Sequence, residues 1–170
     1  MTMPEITSLL DSMAEQARLH FEQRGIDEPI VVGIHSGGVW IAEALRKRLG
    51  FTRPMGRLDI SFYRDDFSRI GMHPQVRPSE LPEELDNQHI LLVDDVLFTG
   101  RTIRAALNEL FDYGRPASVT LAVLVERDGR ELPVEAAIVG SHLELGPHEQ
   151  IKLRGPEPLR LERVQLEGRR

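Results

Sequence analysis

The spacing of apolar residues predicts helices and strands in the first third of the chain. Apolar side chains recur every three or four positions over 6–21, with Pro4 before this segment and Gly25 after it. This is the pattern of an amphipathic helix. A continuous apolar run at 30–34 predicts a buried strand, and the pattern at 39–49 predicts a second helix.

The same alternation continues through the rest of the chain. Apolar and polar residues alternate over 58–63, which predicts a strand with one face more buried than the other. Apolar runs predict further strands at 90–93, 119–125 and 136–139, and 102–113 has helical spacing. Strands that alternate with helices predict the α/β class, a mostly parallel sheet flanked by helices on both faces.

Two regions lack this periodicity. Residues 64–89 carry Pro74, Pro78 and Pro82, many charges and few apolar positions. A connection of this length is expected to be a flexible loop or functional lid. A C-terminal tail is expected from about 154 to 170, and the whole of 1–170 is expected to form one domain.

The most informative segment runs from Ile90 to Thr102. An apolar run is followed by Asp94 and Asp95, and then by a Thr-Gly-Arg-Thr turn that begins at Thr99 and leads into the predicted helix. Ionised carboxylates accept hydrogen bonds from vicinal ribose hydroxyls, and a helix N-terminus aims N–H groups at a phosphate. The segment therefore predicts a sugar-phosphate pocket. In the alternative interpretation the two carboxylates are merely solvated, and Thr99 or Thr102 is an ordinary helix cap.

A second loop follows the first predicted strand. His35, Ser36, Gly37 and Gly38 lie between that strand and a helix, so their backbone amides can hold an anion such as pyrophosphate. Taken alone, a Ser-Gly-Gly loop is more often a tight strand-to-helix turn than an anion-binding site.

The segment 93–102 resembles the phosphoribosyl pyrophosphate (PRPP) signature of type I phosphoribosyltransferases. Together with 61–66, 114–116 and 130–133, it resembles the branch of that family that joins uracil phosphoribosyltransferase activity with regulation of pyrimidine operons. The resemblance covers roughly 5–153, most of the chain.

The resemblance implies a type I phosphoribosyltransferase fold with a small hood. It implies that uracil and PRPP are converted to UMP and diphosphate with Mg²⁺, which PRPP would hold without a direct protein ligand. Other implied partners are UMP or UTP and the leader mRNA of pyrimidine genes. A homodimer or larger homo-oligomer is also expected.

The resemblance also assigns roles to particular residues. Asp94 and Asp95 would orient the ribose and stabilise the reacting centre, and Arg64 would contact pyrophosphate. The expected PRPP and phosphate contacts are Val96, Leu97, Phe98, Thr99, Gly100, Arg101 and Thr102. His35, Ser36, Gly37 and Gly38 would form the pyrophosphate loop, with a strained or cis peptide between Ser36 and Gly37. Uracil would contact Arg127 and the backbone around Ile138 and Val139.

Two positions depart from patterns found in related enzymes. Many proteins of the pyrimidine-regulator branch carry arginine where this chain has Gly37, which bears on the strength of the pyrophosphate contact. Enzymes of the hypoxanthine-guanine type carry aspartate where this chain has Phe98, and an aromatic ring cannot accept a proton. Phe98 therefore disfavours a purine substrate. Transfer to another base, or a regulator with vestigial catalysis, stays open.

Composition limits the remaining possibilities. The net charge of -6, from 21 basic and 27 acidic residues, argues against a general nucleic-acid coat but leaves room for a local basic face. Cysteine is absent, which excludes disulfides and cysteine-based sites. We find no secretory signal and no apolar stretch of membrane-spanning length, so no membrane association and a cytoplasmic location are expected.

Overall fold

The computed structural model describes residues 3–60 and 79–166. Its central element is a parallel sheet of five strands in the order β2-β1-β3-β4-β5, flanked by helices. The helices are α1 (Ile6–Gln23), α2 (Gly37–Leu49) and α3 (Arg101–Tyr113). The strands are β1 (Ile30–Ile34), β2 (Gly56–Leu58), β3 (His89–Leu97), β4 (Ser118–Glu126), β5 (Ile138–His142), β6 (Glu149–Arg154) and β7 (Arg160–Gln165). The predicted α/β class with a mostly parallel sheet is confirmed.

Helices cover both faces of the sheet. Val31 and Leu91 belong to the core that α1 and α2 cover, whereas Val32 and Leu92 belong to the core beneath α3. Neighbouring residues of one strand thus point to opposite faces, and both faces are apolar. This explains why β1 and β3 appear in the sequence as continuous apolar runs rather than as alternating patterns.

The predicted elements differ from the observed ones mainly at their ends. The strand predicted at 58–63 is observed at Gly56–Leu58, and 61–63 lie outside the described residues. The strand predicted at 136–139 is displaced to Ile138–His142. Both are short edge strands of the sheet, where fewer neighbours reinforce the apolar pattern.

The region expected to be a C-terminal tail contains a strand. β7 pairs with β6 in an antiparallel hairpin, in which Leu153 faces Leu161 and Lys152 faces Glu162. Leu153 is buried against the core formed with α1 and α2. The sequence analysis missed this hairpin because charged residues interrupt its apolar positions.

No helix within 3–60 and 79–166 combines the length and hydropathy needed to cross a membrane. The part of the predicted loop 64–89 that is described begins at Ser79. There Glu80 forms an isolated antiparallel bridge with Arg57 of β2.

Candidate active site

The two predicted binding loops meet at one place on the sheet. We call the edge at which the parallel strands end the carboxyl edge, and the opposite one the amino edge. In the strand order 2-1-3-4-5, the connection after β1 leads to β2 on one side of the sheet, and the connection after β3 leads to β4 on the other side. This divergence opens a crevice between the carboxyl ends of β1 and β3. The loop 35–38 follows β1, and the segment 94–102 forms the end of β3 and the turn after it.

Glycine permits close contact between the loop and β3. A side chain at Gly38 would place its Cβ 2.5 Å from the carbonyl oxygen of Val93, and one at Gly37 would collide with the Asp95 carboxylate. The loop backbone therefore lies directly against the carboxylate pair. The cis peptide bond lies between His35 and Ser36, one residue before the predicted position between Ser36 and Gly37.

The two carboxylates stand on the strand rather than after it, because β3 continues to Leu97. Asp94 is buried and Asp95 is partly exposed. The backbone N–H of Asp95 donates to Asp94 Oδ1 at 2.8 Å, and the N–H of Val96 donates to Asp95 Oδ1 at 2.8 Å. Sheet pairing of Asp94 with Val123 fixes the backbone from which these groups project.

The turn after β3 begins α3 without a side-chain cap. Gly100 occupies the N-cap position in the left-handed conformation, with φ of 95°. The Thr99 hydroxyl accepts the Arg101 N–H at 3.2 Å, while Thr102 lies inside the helix. Thr102 is therefore not a cap, and Thr99 lies before the N-cap residue, although its hydroxyl satisfies one N–H of the first turn. N–H groups in the first turn of a helix lack helical partners and can bind an anion.

Two residues of the motif do not present their side chains to this crevice. Leu97 is 1% exposed and belongs to the core beneath α3. Val96 packs against the core on the other face, and its N–H is bonded to Asp95. These two side chains fill space in the core, so a contact of Val96 or Leu97 with PRPP would have to use the backbone, and it stays a prediction.

Phe98 has a different environment. The residue is 43% exposed, although phenylalanine is among the residues most often buried in the core. The guanidinium of Arg127 lies 4.0 Å from the ring centroid, within the range of a cation–π interaction. Arg127 is buried and donates to the Glu149 carbonyl at 3.0 Å. Phe98 is thus fixed from one side and open on the other.

The backbone of Val139 is engaged by a side chain that the sequence analysis did not single out. Gln16 of α1 donates from Nε2 to the Val139 carbonyl at 2.8 Å and accepts the Val139 N–H at 3.0 Å. The Gln16 side chain thus bonds both polar groups of the Val139 backbone, and the contact of uracil with the backbone around Ile138 and Val139 stays a prediction. Ile138 is fully buried in the core.

Two further predictions concern Arg64 and a metal site. Arg64, expected to contact pyrophosphate, lies outside the described residues. Within 3–60 and 79–166, no cluster of three or more His, Cys, Asp or Glu residues could hold a metal ion.

A cavity of about 870 Å³ lies far from the motif. It opens beside the start of β2, and Arg46, Lys47, Phe51 and Met55 are among its lining residues. It contains none of the predicted site residues.

Comparisons with known proteins agree with this geometry. The family model described as the phosphoribosyl transferase domain matches residues 3–150, so the chain belongs to the phosphoribosyltransferase family. It is 61% identical to the bifunctional protein PyrR of Pseudomonas paraeruginosa over 98% of both chains. It is 58% identical to the PyrR of Pseudomonas putida strain W619 over 98% of this chain and 96% of the other. The resemblance stated from the sequence is confirmed.

Solved structures support the fold alone. A hypoxanthine-guanine phosphoribosyltransferase from Bacillus anthracis superposes with a TM-score of 0.68 at 16% identity, over 84% of this chain and 83% of that one. A hypoxanthine phosphoribosyltransferase from Trypanosoma cruzi superposes with a TM-score of 0.64 at 21% identity, over 85% of this chain and 77% of that one.

The sequence does not predict contacts between residues of distant segments. Gln16 lies 123 positions from Val139, and Arg127 lies on a different strand-end loop from Phe98. Neither pair has a local spacing signal. Arg130 belongs to the segment 130–133 that carries the family resemblance, but its hydrogen bond to the backbone of the PRPP motif has no signal in the sequence.

Proposed function

We propose that this protein is a cytoplasmic uracil phosphoribosyltransferase, which forms UMP and diphosphate from uracil and PRPP. We further propose that it regulates pyrimidine biosynthesis genes by binding their mRNA leaders in response to uridine nucleotides. The main support is the crevice between β1 and β3, in which a carboxylate pair, a glycine loop and a helix N-terminus lie together.

The carboxylates of Asp94 and Asp95 would bind the ribose. Two vicinal hydroxyls present donors, and ionised carboxylates act only as acceptors. As the C1–O bond to diphosphate breaks, positive charge develops at ribose C1. Fixed negative groups nearby stabilise this charge, and their fixed positions avoid a reorganisation cost during the reaction.

Each of the two loops would bind a different phosphate group of PRPP. The turn 99–102 and the start of α3 suit the 5′-phosphate, because N–H groups and the helix dipole favour an anion there. The loop 35–38 lies beside Asp95 and would face the diphosphate. Arg64 would add a positive charge, as the family pattern implies.

Mg²⁺ fits these residues as a cofactor bound mainly through PRPP. The ion prefers oxygen ligands and keeps several waters, so Asp94 and Asp95 can assist without forming a complete protein cage. Bound in this way, the ion would neutralise charge on the leaving diphosphate. The protein groups position the ribose and exclude alternative orientations.

Uracil would lie beside the exposed face of Phe98. The new bond forms between uracil N1 and ribose C1, the diphosphate oxygen takes the electrons of the broken bond, and the N1 proton passes to water or diphosphate. The ring of Phe98 offers an apolar surface, and Arg127 supports it from behind. Phe98 provides no group that could accept a purine N7 proton.

A nucleobase panel tests the catalytic proposal. Purified protein with PRPP and Mg²⁺ should convert uracil to UMP and release diphosphate, with little turnover of hypoxanthine or guanine. Preferential use of a purine would establish the enzyme with another substrate. Tight UMP binding without turnover of any base would identify a regulator with vestigial catalysis.

The regulatory proposal needs its own measurement. The net charge of -6 requires RNA to use a local basic face, and affinity should fall with salt as phosphates are neutralised. Filter binding should show a pyrimidine-leader RNA held more tightly than an unrelated RNA of equal length, with UMP strengthening the difference. Equal affinity without a UMP response would leave only the enzyme.

We also propose that the protein forms a homodimer or larger homo-oligomer, as its resemblance implies. Light scattering over micromolar to high-micromolar concentrations should give a mass above that of one chain. A constant monomeric mass would contradict this part of the proposal.

A further inference from the structure

Arg130 joins three parts of the chain beside the turn that follows β3. Its Nε donates to the Val134 carbonyl at 2.9 Å, and its Nη2 donates to Glu126 Oε1 at 2.8 Å. Its Nη1 donates to the carbonyl of Phe98. The side chain is only 26% exposed. All three acceptors are bound by one guanidinium group.

The Phe98 bond belongs to a larger arrangement of the backbone. Three successive carbonyls, at 97–99, accept hydrogen bonds from the single segment 127–132. The donors are the N–H groups of Arg127, Glu131 and Leu132, with distances of 2.9–3.1 Å, and the side chain of Arg130. The Phe98 carbonyl is thus the member of this series that is held by a side chain.

This arrangement determines where the following N–H groups point. In a planar trans peptide, the carbonyl of one residue and the N–H of the next have opposite directions. When the Phe98 and Thr99 carbonyls face the segment 127–132, the N–H groups of Thr99 and Gly100 face away from it. Successive N–H groups with a left-handed residue form a concave anion site, and Gly100 has that conformation.

We propose that Arg130 is a positioning residue for the 5′-phosphate, which it serves by fixing the Phe98–Thr99 peptide plane. This inference rests on the proposed phosphoribosyl site. Arg130 acts on the ligand through the backbone and is not itself a phosphate ligand. The three acceptors are bound by three different nitrogens of one rigid, planar guanidinium, whereas the donors of lysine all radiate from a single nitrogen, so lysine should not reach all three.

Arg53 offers a matched control at the amino edge. It donates to the Glu28 carbonyl at 3.1 Å, to Glu83 Oε2 at 2.9 Å and to Gln88 Oε1 at 2.9 Å. Its side chain is 28% exposed, nearly the same fraction as for Arg130. Arg53→Gln therefore removes a similar set of hydrogen bonds without touching the turn 99–102.

The test compares ligands with and without the phosphate. Isothermal titration should give the Kd of UMP and of uridine for the wild type, Arg130→Gln, Arg130→Lys and Arg53→Gln. For both Arg130 variants we expect the Kd of UMP to rise about tenfold or more, since charge-assisted hydrogen bonds are the strong ones. The Kd of uridine should change less than about twofold, and Arg53→Gln should bind both ligands as the wild type does.

The outcomes separate this inference from the proposed function. If Arg130→Lys retains wild-type UMP affinity, or if the affinities for UMP and uridine fall by the same factor, Arg130 is a structural residue and the inference is overturned. If the wild type itself binds UMP no better than uridine, the proposed phosphate site fails and the inference fails with it. Arg130→Lys keeps the charge and stem of arginine, so the test does not depend on Arg130→Gln folding.

Discussion

The two edges of the sheet use similar side chains for different purposes. At the amino edge, Arg53 connects the segments that precede three strands, and Asp86 accepts the Arg115 N–H at 2.8 Å. At the carboxyl edge, Arg130 and Asp95 bond the backbone of the motif itself. An arginine or an aspartate is therefore no indication of function until its partners are known.

The difference lies in the backbone that each set of side chains holds. Amino-edge contacts join connections that contain none of the predicted site residues. Carboxyl-edge contacts hold a strand end and a helix start, where N–H groups lack helical partners. A change at the amino edge should alter stability, whereas a matched change at the carboxyl edge should alter ligand affinity or turnover.

The largest effect is expected for Asp94→Asn and Asp95→Asn. Each removes a negative charge beside the developing positive charge but retains the side-chain size. We expect kcat/KM for PRPP to fall about 100-fold or more, while the free energy of unfolding changes by about 1 kcal/mol. Initial rates of UMP formation and urea unfolding provide the two measurements.

Asp86→Asn is the control for this comparison. It removes a carboxylate that also accepts a backbone N–H, but at the amino edge. Its kcat/KM should stay within about twofold of wild type. Full activity in both Asp94→Asn and Asp95→Asn would contradict the proposed ribose contacts.

Much of the fold was predictable because its signals are local. The apolar periodicity of α1 and the apolar runs of β1 and β4 depend on burial alone, and their predicted positions agree with the structure to within a few residues. β2 was misplaced because it has only three residues and lies at a sheet edge, and β6 and β7 were missed because charged residues interrupt their apolar positions.

The site was predictable only in part, for a related reason. Asp94, Asp95 and Gly100 occur in one continuous motif, so the sequence alone brings them together. The contact of Gln16 with Val139 requires α1 to pack beside β5, which no spacing reveals. The burial of Leu97 could have been anticipated only if β3 had been extended beyond Val93.

A smaller effect on turnover is expected for Gly37→Ala. The added Cβ would collide with the Asp95 carboxylate, so the loop or the carboxylate must move. A displacement of this kind should lower kcat/KM about tenfold, because misplacing a reacting group by about 1 Å can cost up to 100-fold. The measurement is the same PRPP-dependent assay.

Gly50→Ala is the matched glycine at the amino edge. Gly50 ends α2 in the left-handed conformation with φ of 69°, and open space surrounds its Cβ position. Alanine should cost about 1 kcal/mol of stability without changing kcat/KM. Equal losses of activity in Gly37→Ala and Gly50→Ala would show that the loop 35–38 has no special relation to the site.

Arg53→Gln should produce a moderate effect on stability alone. Removing one partner leaves the Glu28 carbonyl and the Glu83 carboxylate without this donor, which should cost about 1–3 kcal/mol. Urea unfolding should show a lower midpoint with an unchanged slope. Loss of UMP affinity in this variant would remove the distinction between the two edges.

The smallest effect concerns the pH dependence of stability through His20, also near the amino edge. Its Nε2 lies 3.3 Å from the Thr120 hydroxyl, and burial, assisted by the Arg24 charge, lowers the pKa of His20 below 6.5. The unfolded chain therefore binds the proton more readily, so this group reduces the free energy of unfolding as the pH falls below 6.5. The effect should be small because the ring is only partly buried.

His20→Gln should therefore weaken the loss of stability between about pH 7.5 and 5.5, as measured by urea unfolding at each pH. UMP affinity should follow the same pH profile in His20→Gln and wild type, because His20 lies away from the crevice. A changed profile for UMP binding would show that the amino edge influences the site, and the separation of the two edges would have to be abandoned.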